Sequence, residues 1–108
     1  MDIVHREDAI FRALADPTRR TVFERLSRGE ATVSQLTARF DISQPAISQQ
    51  LAALRSAGLV VERREGRFAY YRVRPAGLRP LVRWVEHYQA FWTDRLARLR
   101  TLLEEMDE

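Results

Sequence analysis

Cysteine is absent from this chain of 108 residues, and its absence excludes several functions at once. Without a thiol the chain cannot form a disulfide, sense redox state through a thiolate, or offer a thiolate to a metal ion. Long apolar runs are also absent, since none approaches the roughly 18 residues that a membrane span requires. Residues 1–8 are too polar for a signal peptide. We therefore expect a cytoplasmic protein with no membrane partner.

Lysine is missing as well, so all 18 basic residues are arginine. Codon usage in a GC-rich genome explains this choice, and selection for bidentate phosphate contacts is the alternative. The formal net charge of +3 is unevenly distributed. Residues 31–80 contain eight arginines and three acidic residues, whereas residues 81–108 contain four arginines and six acidic residues. A basic excess of this kind neutralises nucleic-acid phosphates.

Glycine and proline are scarce, with four of each, and no repeat or long linker interrupts the chain. Hydrophobic residues make up 45% and charged residues 31% of the sequence, which is ordinary for a globular protein. We therefore expect a single domain over residues 1–108, small enough to benefit from dimerisation.

The first third of the chain is predicted to be helical. Apolar periodicity predicts a helix over about residues 5–15. Asp16 and Pro17 then suit the N-cap and the first position of a second helix, which ends near Gly29. Residues 30–31 could form a very short strand.

Residues 32–73 carry the most informative pattern. Thr32 opens a capping box (S/T-x-x-Q) at the start of a short third helix. Ser43 can cap a fourth helix in which apolar residues recur at i, i+4 and i+7, and Gly58 ends it. An Arg-rich hairpin follows. This order predicts a winged helix-turn-helix, a mainly α fold with a small β-hairpin, whose second helix enters a DNA major groove.

The hairpin is predicted over residues 59–64 and 67–73, with the turn at Glu65-Gly66. Its strands alternate between two faces, as a half-buried pair should. The residues predicted to face the core are Leu59, Val61, Ala69, Tyr71 and Val73.

The fourth helix is predicted to present a second face opposite its apolar side. That face shows Pro45, Ser48, Gln49, Ala52 and Ser56, with Gln44 projecting from the first turn. Gln can bond bidentately to adenine, and Ser serves either donors or acceptors on base edges. No acidic residue lies between positions 43 and 56, where a carboxylate would face phosphates. A solvated surface helix would show similar residues, but the preceding turn and the following hairpin favour DNA contact.

Three arginines flank the hairpin tip, and we predict that they contact DNA phosphates or the minor groove. They are Arg63, Arg64 and Arg67. Arg55, late on the fourth helix, is a further phosphate candidate. The alternative is a solvated, charged turn.

One long C-terminal helix is predicted over about residues 80–106, because apolar residues recur there every three or four positions. A monomer of this size could hardly bury them, so we predict a dimer formed by this helix and the first one. A pocket that binds a small effector between its aromatic residues is the alternative. The predicted interface residues are Ile10, Leu14, Val85, Tyr88, Trp92, Leu96, Leu99 and Leu103.

Metal binding and catalysis have little support in the sequence. The two histidines, His5 and His87, lie far apart in the sequence and so form no i, i+3 or i, i+4 pair of strong ligands, whereas zinc needs three or four ligands. No serine has a histidine in a plausible arrangement, and there is no glycine-rich phosphate loop. We expect no metal site, no cofactor and no enzyme activity.

Several motifs together resemble the ArsR/SmtB family of bacterial repressors. The residues that carry the resemblance lie at 14–20, 43–51, 54–55, 57–60, 64–67 and 70–73. The resemblance implies a dimeric winged helix-turn-helix that represses its own operon until an inducer lowers its DNA affinity. It also implies that Gln44, Ser48 and Gln49 contact bases and that Arg64 and Arg67 belong to the wing contacts.

The sequence departs from the metal-sensing members of that family. Their Cys-x-Cys site on the third helix falls here on residues 32–36, which contain no thiol. Their zinc site on the last helix needs paired Asp/His and His/Glu ligands, and in this chain only His87 could serve as one of them. The inducer is therefore left open between a small molecule, a partner protein and the repressor's own concentration.

These observations predict a homodimeric, sequence-specific transcriptional repressor that is autoregulatory and metal-independent. Its partners would be double-stranded DNA, in the form of a near-palindromic operator, and a second copy of itself. The alternative is a winged-helix module that binds another protein and has only incidental affinity for DNA.

Overall fold

The structure is a computed structural model that describes residues 6–107. Within this range the chain forms five α-helices and a three-stranded sheet, so the predicted mainly α fold with a small hairpin is confirmed. The helices are α1 (Arg6–Ala15), α2 (Pro17–Leu26), α3 (Val33–Phe40), α4 (Gln44–Ser56) and α5 (Arg79–Met106). The strands are β1 (Ala31–Thr32), β2 (Val60–Glu65) and β3 (Phe68–Val73), and a 3-10 turn (Pro75–Leu78) leads into α5.

Side-chain caps start the helices where the sequence predicts them. The Asp16 carboxylate accepts a hydrogen bond from the backbone N–H two residues on, at 3.0 Å. Thr32 and Gln35 form the full capping box, with each side chain bonded to the other's backbone at 3.2 and 2.9 Å. Ser43 Oγ accepts from a backbone N–H of α4 at 3.2 Å. These bonds satisfy N–H groups that the helix itself leaves unpaired.

The turn between α3 and α4 depends on Asp41. This residue adopts the left-handed conformation, with φ 52° and ψ 43°, and its N–H bonds the carbonyl of Thr37 at 3.0 Å. Aspartate tolerates this conformation better than most residues other than glycine. The chain therefore reverses within three residues, and α4 packs across α3.

The core lies between α1–α4 and the inner face of the sheet. On α4, Ile47, Leu51 and Leu54 are at most 1% exposed. The remaining buried apolar residues are Ile10, Ala13, Val22, Phe23, Leu26, Ala31, Leu36, Leu59 and Val60. Because Ile10 is 1% exposed within the single chain, its predicted place at a dimer interface is wrong: it fills the core of its own protomer.

The sheet has the strand order β1-β3-β2, and both pairs are antiparallel. The third strand is therefore present, one residue later than predicted. The prediction that Val61 faces the core is wrong, because Val60 is the buried residue of β2 and Val61 pairs with Arg72 on the outer face. Leu59 is buried before the strand begins, since its N–H bonds Leu54 O at the end of α4 (3.0 Å), and this shifts the alternation by one position.

The last helix begins at Arg79 and has 28 residues, a length of about 42 Å at 1.5 Å per residue. It contacts α1 through an edge-to-face pair between Phe11 and Trp84, whose ring centroids are 5.2 Å apart. No residue of α5 is buried in the single chain, and every residue from Val85 to Asp107 is exposed. The residues beyond this contact therefore present their apolar surface to solvent.

Replacing Ser43 by alanine should lower the free energy of unfolding by about 0.5–2 kcal/mol, because α4 loses its N-terminal cap. Urea unfolding followed by circular dichroism measures this. Thr101→Ala is the matched control, since the Thr101 hydroxyl only bonds a carbonyl within its own helix. An equal loss in both variants would contradict a specific capping role for Ser43.

Candidate nucleic-acid interface

The outer face of α4 carries the polar residues that the sequence singles out. Because Ile47, Leu51 and Leu54 point into the core, Gln44, Pro45, Ser48 and Gln49 are all exposed, with Ala52 beside them. Within residues 6–107, no side-chain hydrogen bond engages Gln44, Ser48 or Gln49. Their amide and hydroxyl groups are therefore available to bond base edges. We call α4 the recognition helix.

The start of the recognition helix suits a phosphate group. Pro45 occupies the first turn, and no acidic residue lies in that turn. Backbone N–H groups at a helix N-terminus and the positive end of the helix dipole attract anions. A duplex lying along this face would therefore meet hydrogen-bonding side chains and a favourable potential together.

Gln50 performs a role that sequence reasoning missed. Its Oε1 accepts from Arg19 Nε at 3.0 Å, and its Nε2 donates to Asp16 Oδ2 at 3.4 Å. Arg19 Nη2 also lies 3.6 Å from Asp16 Oδ2. These contacts tie the recognition helix to α2. The i, i+3 spacing of Asp16 and Arg19 in the sequence is typical of an ion pair at a helix start. No feature of the neighbouring sequence indicates that Gln50, 34 residues after Asp16, joins that pair.

The wing is the β2–β3 hairpin, and Arg67 lies at its tip. Gly66 makes the turn possible by adopting a positive φ of 61°. Arg67 is exposed, and no carboxylate in the described part of the chain pairs with it. Its guanidinium is therefore free for a phosphate or a narrow minor groove.

Glu62 gathers two of the predicted DNA-binding arginines. Arg55 Nη1 and Arg64 Nε each lie 2.7 Å from this carboxylate, and Tyr71 donates its hydroxyl proton to it at 2.8 Å. Arg55 comes from the recognition helix and Arg64 from the wing, so Glu62 links the two elements. Sequence reasoning counted Glu62 only as an acid within a basic segment, because its partners are set by the register of the hairpin.

The pKa values of this cluster follow from its contacts. Hydrogen bonds from Tyr71 and then from Arg64 hold the pKa of Glu62 below its ordinary value. Burial, followed by the bond to Glu62, raises the pKa of Tyr71. The Glu62 carboxylate is therefore charged at neutral pH while it holds the two arginines.

Arg63 occupies the other face of the hairpin. It is paired with Glu30 at 2.7 Å and with Glu65, and its guanidinium lies 4.5 Å from the ring centre of Tyr70. Two carboxylates already offset its charge, so among the wing arginines it offers less to a phosphate than Arg67 does.

The described residues contain no group of three or more His, Asp or Glu side chains that could hold a metal ion. His87 lies exposed on α5, and His5 lies outside the described residues. No helix within residues 6–107 is long and apolar enough to cross a membrane.

Comparison with known proteins places this geometry in a family. The sequence profile described as "bacterial regulatory protein, arsR family" matches residues 16–61, from α2 into β2. The HTH-type transcriptional regulator Rv2034 of Mycobacterium tuberculosis is 36% identical over 104 residues, covering 96% of this chain and 94% of its own. The chain belongs to the arsR family. The winged helix-turn-helix fold and the resemblance that the motifs indicated are thereby confirmed.

Two further relatives agree with this membership. The transcriptional repressor SdpR of Bacillus subtilis is 33% identical over 79 residues, covering 73% of this chain and 88% of its own. A solved structure of an ArsR-like transcriptional regulator from Rhodococcus sp. RHA1 superposes with a TM-score of 0.72 at 34% identity, covering 90% of this chain and 92% of that one. This arsR-family protein is a DNA-binding transcriptional regulator.

Replacing Glu62 by glutamine should cost about 1–2 kcal/mol of unfolding free energy at pH 7, since hydrogen bonds to a charged group are lost. The folded-state pKa of Glu62 is lowered from 4.5, so its contribution is present above pH 4.5 and is lost as pH falls through the folded value. The difference between wild type and variant should therefore narrow by pH 3. Urea titrations at both pH values test this, with Glu104→Gln as an exposed control; a difference independent of pH would contradict it.

Proposed function

We propose that this arsR-family protein is a homodimeric, autoregulatory transcriptional repressor that binds a near-palindromic operator without needing a metal ion. The observation that carries the proposal is the outer face of the recognition helix, where Gln44, Ser48 and Gln49 are exposed and unbonded within the described residues. Side chains of this kind, on a helix with no carboxylate, suit base-edge contacts in a major groove. The relative SdpR is a transcriptional repressor, which supports repression rather than activation as the effect on transcription.

The two sets of contacts have different tasks. The amide and hydroxyl groups of the recognition helix can distinguish base pairs, whereas Arg67 at the wing tip meets the sequence-independent phosphates. Arg55 and Arg64 are weaker candidates for phosphate contacts than Arg67, because a phosphate would compete with Glu62 for them. Glu62 thus keeps both guanidinium groups oriented before DNA arrives.

Dimerisation would bury the apolar side chains that α5 exposes in the single chain. Its large apolar side chains include Val85, Tyr88, Trp92, Leu96 and Leu99, all more than a third exposed. Burying one such side chain is worth about 1.5–3 kcal/mol, so a set of this size favours a partner. We take a second copy of the chain as the partner, because a two-fold axis would place the same apolar surface of α5 on both sides of the interface. Phe11, which is exposed beside Trp84, takes the place predicted for Ile10 in this interface.

The dimer also explains how short recognition helices achieve specificity. Two copies related by a two-fold axis present two α4 helices to successive major grooves, which are about 34–36 Å apart on one side of the duplex. A half-site for each helix gives a near-palindromic operator.

Metal independence is the remaining part of the proposal. The chain has no cysteine, and His87 is the one histidine among residues 6–107. Equal operator affinity with added zinc and with a chelator supports this part, whereas a change of tenfold or more contradicts it.

Replacing Gln49 by alanine should cost about 1–3 kcal/mol on the operator and little on random DNA, because a base-edge contact is lost. Arg67→Ala should weaken binding to both DNAs alike and reduce the salt slope by about 1. Fluorescence anisotropy at several salt concentrations measures both effects. Gln89→Ala and Arg98→Ala, on α5, are the matched controls.

Equal losses on operator and random DNA for both variants would contradict this division of tasks. If the wild-type protein binds no fragment of its source genome even at low salt, the protein-interaction alternative replaces the proposed function.

Replacing Leu96 and Leu99 together by glutamate should convert the dimer to a monomer and abolish operator binding, because charges would be buried in the α5 seam. Sedimentation velocity gives the oligomeric state. Arg98→Glu, which changes charge on the same helix outside the apolar seam, should leave the dimer intact. A stable dimer in the double variant would place the interface elsewhere.

A further inference from the structure

A basic cleft lies where the recognition helix meets the long C-terminal helix. Its walls come from α1, from residues 57–58 directly after α4, from residues 74–77 at the 3-10 turn and from the first residues of α5, and its volume is about 410 Å³. We call it the junction cleft. No aspartate or glutamate lines it. Its charged residues are Arg6, Arg74, Arg79 and Arg83.

Within residues 6–107 no carboxylate forms an ion pair with any of the four arginines of the junction cleft. One side-chain hydrogen bond in this range joins Arg74 Nη1 to the carbonyl of Gly58 at 3.4 Å. The wing arginines differ in this respect, since Arg63 and Arg64 each reach a carboxylate. Guanidinium groups that share a cleft repel one another, and a bound anion would remove that repulsion.

The backbone adds to the positive potential. Helix α5 begins at the wall of the cleft, and no side chain caps its N-terminus. The positive end of its dipole therefore adds to the guanidinium charges. Arg6 and Arg83 also line the neighbouring cleft beside Trp84, but Glu7 and Asp8 line that cleft too and would disfavour an anion there.

We propose that the junction cleft binds a small anion carrying two or more negative charges and that this binding lowers operator affinity. Arginines recognise phosphate and carboxylate groups through paired hydrogen bonds, so a phosphate ester or a polycarboxylate fits the site chemically. The cleft volume lies in the range of about 300–1,000 Å³ that small-molecule sites occupy. The effect on the operator rests on the proposed function; the binding itself does not.

The position of the cleft couples it to DNA binding. Gly77, in the 3-10 turn, contacts the end of the recognition helix so closely that a Cβ there would lie 1.8 Å from Gly58 O. An anion that draws the cleft arginines together therefore acts on the joint between the recognition helix and α5. A shift of this joint displaces the recognition helix from its base contacts, and operator affinity falls as a result.

Binding is tested first without DNA. The melting temperature is measured in inorganic phosphate, in citrate and in sodium chloride at equal ionic strength, for wild type, Arg79→Gln/Arg83→Gln and Arg98→Gln/Arg100→Gln. The last variant removes the same charge from the same helix outside the cleft. We expect phosphate or citrate to raise the melting temperature of wild type and of Arg98→Gln/Arg100→Gln but not of Arg79→Gln/Arg83→Gln. The anion that raises it more, phosphate or citrate, identifies the class of ligand. An equal response of all three proteins overturns the proposal.

Coupling is then measured as operator affinity at constant ionic strength. Saturating anion should weaken wild-type binding about five- to tenfold, and Arg79→Gln/Arg83→Gln should not respond. Two outcomes would overturn the proposal, because each gives Arg79 and Arg83 a role other than anion binding. A weaker operator complex with a smaller salt slope in anion-free buffer makes them DNA contacts, and dissociation of the dimer makes them partners for the acidic C-terminal end of another copy. If wild type binds no operator at all, the proposed function fails while the melting experiment still decides the site.

Discussion

The burial of one side of α4 is the constraint on which the rest of the structure depends. Ile47, Leu51 and Leu54 are almost completely buried against the other helices and the sheet. A helix with three such anchors cannot rotate about its axis without exposing them, at a cost of about 1.5–3 kcal/mol for each side chain. The opposite face is therefore fixed toward solvent. Base-contacting residues need this kind of rigid support, because hydrogen bonds to base edges require defined positions.

Polar contacts refine the orientation that burial sets. Gln50 joins the recognition helix to α2, and Glu62 joins it to the wing through Arg55 and Arg64. Both polar links lie at the rim of the core, where each charged group keeps a partner and none is left buried and unpaired. The recognition helix and the wing are therefore joined into one continuous surface, and Arg67 lies at its tip.

The long helix relates this surface to the dimer that we propose. It contacts the domain through α1 and through the 3-10 turn, where Gly77 touches Gly58 at the end of the recognition helix. In the regulation that we propose, a displacement of α5 is passed to α4 through this close contact. In a dimer the separation of the two recognition helices would depend on it, and the arginines of the junction cleft lie at the same place. The regulation that we propose through this joint would need no metal ion and no thiol.

The sequence by itself determined the features that local chemistry controls. Helix starts at Asp16, Thr32 and Ser43 follow from capping bonds within three residues, and the periodicity of α4 fixes which side is polar. Tertiary structure decided the rest, because it depends on partners far apart in sequence. The burial of Ile10 and Val60, the links made by Gln50 and Glu62, and the gathering of four arginines in one cleft arise only when separate elements pack together. Sequence periodicity assigns a residue to a face, whereas packing alone decides what that face meets.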